Sequence, residues 1–102
     1  DRVVARIELA PEVLDDFDRI VEHLAGHEAD RIPERIAGIV RSLEIPRDSP
    51  LIGRKVRSGL RELVIGQGSR GYVALYRDVD AIDTVFVLAI RAQRERGYRH
   101  DT

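Results

Sequence analysis

Residues 70–91 have the sequence RGYVALYRDVDAIDTVFVLAIR, and this stretch decides the fold class. In residues 70–78 apolar side chains alternate between two faces, and this period of two predicts a β-strand. One face would carry Tyr72, Ala74 and Tyr76, and the other Val73 and Leu75. In residues 84–91 the apolar side chains do not alternate with polar ones, which predicts a central strand that is covered on both faces. The linker 79–82 is short enough to join the two strands as an antiparallel hairpin.

The chain before this hairpin predicts a further hairpin strand, two helices and an N-terminal strand. The predicted elements are a strand over 3–9, helices over 11–26 and 30–45, and strands over 60–65, 70–78 and 84–91. Pro11 suits a first helical position, and Asp30 is the predicted N-cap of the second helix. Residues 46–59 contain two prolines and two glycines and predict an ordered loop.

The order of these elements predicts one α+β domain over residues 1–102. The order is β-α-α-β-β-β, with a helical hairpin packed on a small, mostly antiparallel four-stranded sheet. A chain of 102 residues has the size of one domain. It contains no apolar run that approaches the roughly 20 residues of a membrane helix, so we expect no membrane partner.

The charge of the chain is balanced overall but uneven along its length. With 17 basic and 18 acidic residues the formal net charge is −1, which excludes a uniformly basic nucleic-acid-binding protein. Residues 1–48 carry a net charge of −5 and residues 49–102 a net charge of +4. This asymmetry indicates either an anionic partner for the basic half or solvated charge on both halves. The absence of cysteine excludes disulfides and thiolate sites and is compatible with a cytoplasmic protein.

Two motifs suggest a cofactor or a metal, and neither has the context that such a site needs. Residues 66–71 read GQGSRG, but a dinucleotide fingerprint requires a following helix, and here a strand is predicted. His23 and His27 have the i, i+4 spacing of metal ligands, but no third ligand stands nearby. We therefore predict neither a cofactor nor a metal.

A cluster of arginines and a tyrosine follows the last predicted strand. Arg91, Arg94, Arg96 and Tyr98 could bind a phosphate backbone and stack on bases, or could form a solvated terminus. If the three arginines are exposed, replacing them with alanine should leave folding nearly unchanged.

Several stretches, taken together, resemble one known family, the RelE/ParE superfamily of type II toxins. The stretches are Ala10-Pro-Glu-Val, Pro50-Leu-Ile-Gly-Arg54, Leu60-Arg-Glu-Leu63, Gly71-Tyr-Val-Ala-Leu-Tyr-Arg77, and the sequence from Val87 to Tyr98. The resemblance implies a β-α-α-β-β-β fold, in agreement with the order predicted above. It also implies a cognate antitoxin that neutralises the chain in a hetero-oligomeric complex.

The resemblance implies two alternative activities. ParE-like members bind and poison DNA gyrase, whereas RelE-like members cleave mRNA on the ribosome without a metal. In a RelE-like site Arg94 would stabilise the reacting phosphate, and Tyr98 would take part in proton transfer, with its pKa lowered by Arg94 and Arg96. A third hypothesis is an inactive member that only binds its partner.

Departures from the RelE pattern favour the gyrase poison. The basic pair that the pattern expects on the first strand of the β-β-β unit falls on Glu62 and Val64. The basic residue expected in the next strand falls on Val73, unless Arg70 replaces it. We therefore expect target binding rather than catalysis. The predicted target-binding residues are Arg61, Arg70, Arg77, Arg91, Arg94, Arg96 and Tyr98.

Overall fold

Five β-strands form one mixed sheet in the computed structural model, which describes residues 4–27, 30–66, 71–95 and 97–98. The strands are β1 (Arg6–Leu9), β2 (Arg54–Arg57), β3 (Leu60–Ile65), β4 (Tyr72–Val79) and β5 (Thr84–Ala92). Their spatial order is β1-β5-β4-β3-β2, with β1 parallel to β5 and every other pair antiparallel. The prediction of a mostly antiparallel sheet is confirmed, and β5 lies inside it between β1 and β4.

Two longer helices and one short helix accompany the sheet. They are α1 (Pro11–Gly26), α2 (Ile32–Ser42) and α3 (Ile45–Asp48). The bounds predicted for α1 are confirmed, and Pro11 lies in its first turn. The predicted N-cap of α2 is wrong, because Arg31 takes the cap position with a left-handed φ of 55°. The carboxylate of Asp30 instead lies 3.7 Å from the guanidinium of Arg35.

The segment predicted as a loop over 46–59 contains regular structure. Its first residues complete α3, and Arg54–Arg57 form β2 at the edge of the sheet, so the sheet has five strands rather than four. The sequence of β2 is RKVR, and all its residues are exposed. Because the strand buries no side chain, it shows no alternation of apolar and polar residues. Backbone pairing with β3 and the contact of Arg54 with Glu62 hold it in place.

The sheet separates two apolar clusters of unequal size. The larger cluster lies under the helices and includes Val13 and Ile20 of α1, Ile39 of α2 and Tyr76 of β4. The smaller cluster lies on the opposite face and consists of Leu60, Leu75, Ala89, Leu88 and Tyr98. The predicted division of β4 between two faces is therefore confirmed, with Tyr72, Ala74 and Tyr76 on the helix side and Leu75 on the other.

Candidate functional site

Four polar side chains meet on the sheet face opposite the helices. We call Arg54, Glu62, Arg91 and Tyr98 the Glu62 cluster. Glu62 lies on β3, and the register of the sheet places Arg54 of β2 directly beside it. Arg91 comes from the end of β5, and Tyr98 returns onto this face from the segment that follows β5. The sheet thus brings together residues from three strands and the C-terminal segment.

Both carboxylate oxygens of Glu62 have partners within the cluster. The Tyr98 hydroxyl donates to Oε2 of Glu62 at 2.8 Å, and Nη2 of Arg54 donates to Oε1 at 2.7 Å. Nη2 of Arg91 lies 3.8 Å from Oε2 of Glu62, and the guanidinium of Arg91 lies 5.1 Å from the centroid of the Tyr98 ring. The Glu62 side chain is only 10% exposed. The cluster therefore gives each carboxylate oxygen of Glu62 a donor, while Arg54 stays largely exposed to solvent.

The surroundings shift the pKa values of Glu62 and Tyr98 in opposite directions from their ordinary values. Burial alone would raise the pKa of Glu62, but hydrogen bonds from Tyr98 and Arg54 and the charges of Arg91 and Arg54 hold it below its ordinary value of 4.5. Burial raises the pKa of Tyr98 well above its ordinary value of 10, and the neighbouring Glu62 carboxylate raises it further, against a weaker lowering by Arg91. At neutral pH Glu62 is therefore ionised and Tyr98 is protonated.

Arg91 supports the backbone of the C-terminal segment. Its Nη1 lies 3.1 Å from the carbonyl oxygens of Ala92, Gln93 and Glu95 and donates to them. The side chain is 16% exposed, and Nε is buried without a hydrogen-bond partner among the described residues. Arg91 is therefore largely covered and anchors three carbonyl groups, so the condition of exposure under which alanine should leave folding unchanged does not hold for this residue.

The structure does not bring Arg94 and Tyr98 together. Nη2 of Arg94 lies 3.3 Å from Nε2 of His23, on α1. The charge of Arg94 acts on Tyr72, which packs on the helix side, where burial raises the pKa of the Tyr72 phenol. Tyr98 lies on the opposite face, beside Glu62. The sequence does not reveal this separation, because the two residues are close to each other along the chain.

A second polar network fixes the start of the C-terminal segment to α1. Oδ2 of the buried Asp16 accepts a hydrogen bond from the Ile90 amide at 2.9 Å. Nη2 of Arg19 donates to the Ile90 carbonyl at 3.1 Å, and Nη1 donates to Oε1 of Glu95 at 2.6 Å. The same Oε1 accepts the Ala92 amide at 3.0 Å. The network orients the chain where it leaves β5.

Asp16 is not among the predicted site residues, although the sequence contains one signal of its role. Asp16 lies three residues after Val13 and four before Ile20, so it falls on the apolar stripe of α1. A carboxylate in that position requires a partner inside the protein.

The remaining predicted site residues lie elsewhere. Nη1 of Arg61 donates to the carbonyls of Leu51 and Gly53 at 3.1 and 2.8 Å, so Arg61 holds a loop. Arg77 is exposed on β4, opposite Leu60 in the register. Arg70 and Arg96 lie outside the described residues. The predicted residues therefore do not form one continuous site in the part of the chain that the structure describes.

Neither a metal centre nor a membrane segment is found among the described residues. No group of three or more His, Asp or Glu side chains there could hold a metal ion. The rings of His23 and His27 lie 4.2 Å apart between centroids, and Nδ1 of His27 lies 2.8 Å from the His23 carbonyl oxygen. No helix in these ranges has the length and apolar character needed to cross a membrane.

Comparison with known proteins identifies one family and one fold. A model of the ParE toxin family, described as the toxin of the type II toxin–antitoxin system parDE, matches residues 7–97. Among curated proteins, none matches the chain in sequence.

Two solved structures are similar in fold. The toxin–antitoxin complex RelBE2 from Mycobacterium tuberculosis has a chain that aligns with a TM-score of 0.60 and 21% identity, over 89% of this chain and 100% of that one. An arginine double mutant of the E. coli toxin RelE in the free state aligns with a TM-score of 0.61 and 17% identity, over 90% of this chain and 86% of that one. At these identities the likeness is one of fold alone.

Proposed function

The chain belongs to the ParE toxin family of type II toxin–antitoxin systems, and from this premise we propose that it inhibits growth by binding and poisoning DNA gyrase. The proposed action is binding to a target protein in the cytoplasm, without bond-breaking chemistry by the toxin itself. A cognate antitoxin neutralises the toxin by forming a hetero-oligomeric complex with it.

The single observation that carries this proposal is the pairing of Tyr98 with Glu62. A ribonuclease needs a general base and acid whose pKa values lie near neutral pH and which reach the 2′-oxygen and the leaving oxygen. The Tyr98 hydroxyl is held by Glu62 at 2.8 Å, and its pKa is raised, so it neither accepts nor releases a proton readily. The Glu62 cluster therefore argues against cleavage by Tyr98 and favours an action by binding.

The alternative is ribosome-dependent cleavage of mRNA, and the likeness in fold to the E. coli toxin RelE favours it. That mechanism needs Arg94 and Tyr98 to act on one phosphate. Their contacts lie on opposite faces of the sheet, with Arg94 beside His23 and Tyr98 beside Glu62. Cleavage would require the C-terminal segment to leave both contacts first. An inactive, partner-binding member is the third alternative.

A groove beside α2 supports the proposal of an antitoxin partner. The groove has a volume of about 700 Å³ and lies between α2 and the ends of β3 and β4. Ile39, Ile45 and Ile65 give it an apolar floor, and Arg35 and Arg41 add positive charge. An acidic amphipathic segment that folds as it binds complements such a groove.

The test of the proposed function is the order of events after the toxin is induced in cells. We expect DNA damage signalling before any loss of mRNA, because a gyrase poison acts on DNA. Tyr98→Phe should keep its toxicity, since this change removes only the hydroxyl and retains the ring. Rapid cleavage of translated mRNA that Tyr98→Phe abolishes would instead establish the ribonuclease. A folded wild-type toxin that affects neither DNA nor mRNA would indicate the inactive member.

A further inference from the structure

Two side chains, Tyr76 and Arg61, hold the backbone of the loop before β2 in place. The Tyr76 hydroxyl, fully buried, accepts the Gly53 amide at 2.8 Å and donates to the Pro50 carbonyl at 2.7 Å. Arg61 donates to the carbonyls of Leu51 and Gly53. A Cβ on Gly53 would lie 2.7 Å from the Tyr76 ring and hydroxyl, so only glycine allows this close approach. The backbone of residues 50–53 is therefore ordered before any partner arrives.

This rigid backbone directs large apolar side chains outward. Leu51 is 63% exposed and Ile52 is 56% exposed, and Val56 of the adjoining strand is also exposed. A depression of about 470 Å³ lies between Leu51, Val56 and Leu60. Exposed apolar side chains that adjoin one another, with polar residues around them, are typical of a protein interface.

Positive charge lies beside these apolar side chains, because Lys55 and Arg57 line the same depression as Leu51 and Val56, together with the acidic Asp78. Arg54, Lys55 and Arg57 are all exposed on β2. Within the described residues, β2 is an edge strand that pairs only with β3, so its outer side faces no other strand. We define Leu51, Ile52 and the four residues of β2 as the 51–57 surface. It combines an apolar centre with a cationic rim on an ordered backbone.

We propose that this chain binds its target protein through the 51–57 surface. The target would present an acidic surface with an apolar recess that accepts Leu51 and Ile52. This inference rests on the proposed function and locates its binding site. Because residues 50–53 are ordered in advance, docking loses little conformational entropy there. Acidic groups around the recess complement the charge of the exposed Lys55 and speed association.

The chemistry of the surface favours a protein over a nucleic acid as the partner. Sequence-tolerant binding to single strands uses aromatic side chains on which bases stack, and the 51–57 surface contains none. Branched aliphatic side chains instead gain binding free energy by leaving water for an apolar recess. Leu51 and Ile52 would supply this gain, and the basic side chains would set the orientation.

The experiment measures binding of the purified full-length toxin to immobilised DNA gyrase holoenzyme. The test variant is the double substitution Leu51→Ala, Ile52→Ala. The control is Leu14→Ala, Ile82→Ala, because these side chains are exposed to a similar degree, 62% and 59%, but lie on α1 and after β4. We expect the test variant to bind gyrase roughly tenfold or more weakly, and the control to bind within about twofold of wild type.

A charge change tests the rim separately and does not disturb the loop. Lys55→Glu should slow association with gyrase by roughly tenfold at low salt, and Lys55→Arg should leave the rate unchanged, because the rim acts through its charge. Thermal unfolding of each variant shows whether the fold is retained. Lys55 is exposed on β2, so the Lys55 variants still test the surface even if the double alanine variant unfolds.

The outcomes distinguish a failure of the 51–57 surface from a failure of the proposed function on which it rests. Wild-type toxin that does not bind gyrase overturns the proposed function together with this inference. Wild-type toxin that binds gyrase, with folded Leu51/Ile52 and Lys55 variants that bind equally well, overturns the 51–57 surface and leaves the proposed function intact. Duplex DNA alone is the second probe. If wild type binds it and Lys55→Glu does not, the partner is a nucleic acid, and the inference is wrong.

Discussion

At the scale of single residues, the neighbours of Tyr98 decide what its hydroxyl can do. The sequence places Arg94 and Arg96 close to it along the chain, and these cations would lower its pKa. In the folded chain, burial and the Glu62 carboxylate raise that pKa instead. Glu62 in turn lies between Arg54 and Arg91, which keep it ionised. One acidic residue at a position where a base is expected therefore changes a candidate proton carrier into a structural hydrogen-bond donor.

Glu62→Gln should make the stability of the protein less sensitive to acid. The folded-state pKa of Glu62 lies below 4.5, so its contribution to the free energy of unfolding is complete above that pH and is lost as pH falls through the folded-state pKa. At pH 7 we expect the variant to be less stable by about 1–2 kcal/mol, because charge-assisted hydrogen bonds are lost. The difference should narrow towards pH 3. Urea unfolding at both pH values measures it.

Glu22→Gln is the matched control for this prediction, since Glu22 is exposed on α1. Its free energy of unfolding should follow that of wild type at both pH values. If the Glu62 variant and wild type differ by the same amount at pH 7 and pH 3, the Glu62 carboxylate carries no acid-sensitive stabilisation.

At the scale of elements, α1 takes over from β1 as the neighbour of β5. β1 pairs with β5 only along Thr84 to Val87, and the last contact is the Ala10 amide with the Val87 carbonyl. Beyond this point no strand among the described residues lies on this side of β5. The side chains of Asp16 and Arg19 bond to the amide and the carbonyl of Ile90. A helix thus satisfies backbone groups that a longer β1 would have paired.

Asp16→Ala should destabilise the protein by about 2–4 kcal/mol, because it leaves the buried Ile90 amide without its acceptor and removes one of the two carboxylates that pair with Arg19. Asp18→Ala is the control on the same helix, where the side chain is exposed, and it should change stability by about 0.5 kcal/mol or less. Urea unfolding of both variants at neutral pH gives the comparison. Equal effects would mean that the Asp16 network does not hold α1 to β5.

At the scale of the whole molecule, folding redistributes the charge that the sequence divides into halves. Arg35 and Arg41 belong to the acidic half of the chain, yet both line the groove beside α2. In the basic half, Arg61 and Arg91 turn inward to backbone carbonyls. The net charge of each half of the sequence therefore does not predict where the cationic surfaces of the folded protein lie.

The double variant Arg35→Glu, Arg41→Glu should bind the cognate antitoxin roughly tenfold or more weakly, because the groove would then repel an acidic segment. Arg47→Glu is the control, since Arg47 is exposed and pairs with Glu44 outside the groove. Calorimetry with the purified antitoxin measures the affinities. Undiminished binding by the folded double variant would place the antitoxin elsewhere on the toxin.

The sequence by itself determined the elements whose pattern is local. The periods of two and of three to four residues gave the strands from residue 60 onward, α1 and the two faces of β4, because each depends on neighbours within a few positions. The order and spacing of the quoted stretches of sequence were also sufficient to recognise the family. Local pattern failed for β2, whose four exposed residues bury nothing and form a strand only because β3 offers a free edge.

Only the tertiary structure decided the chemistry of the candidate site. Tyr98 meets Glu62 across 36 positions of sequence, and Asp16 meets the Ile90 amide across 74. Arg94 and Tyr98, close in sequence, turn to opposite faces of the sheet. Proton affinity depends on burial and on charges within a few ångströms, and those distances exist only once the strands are in register.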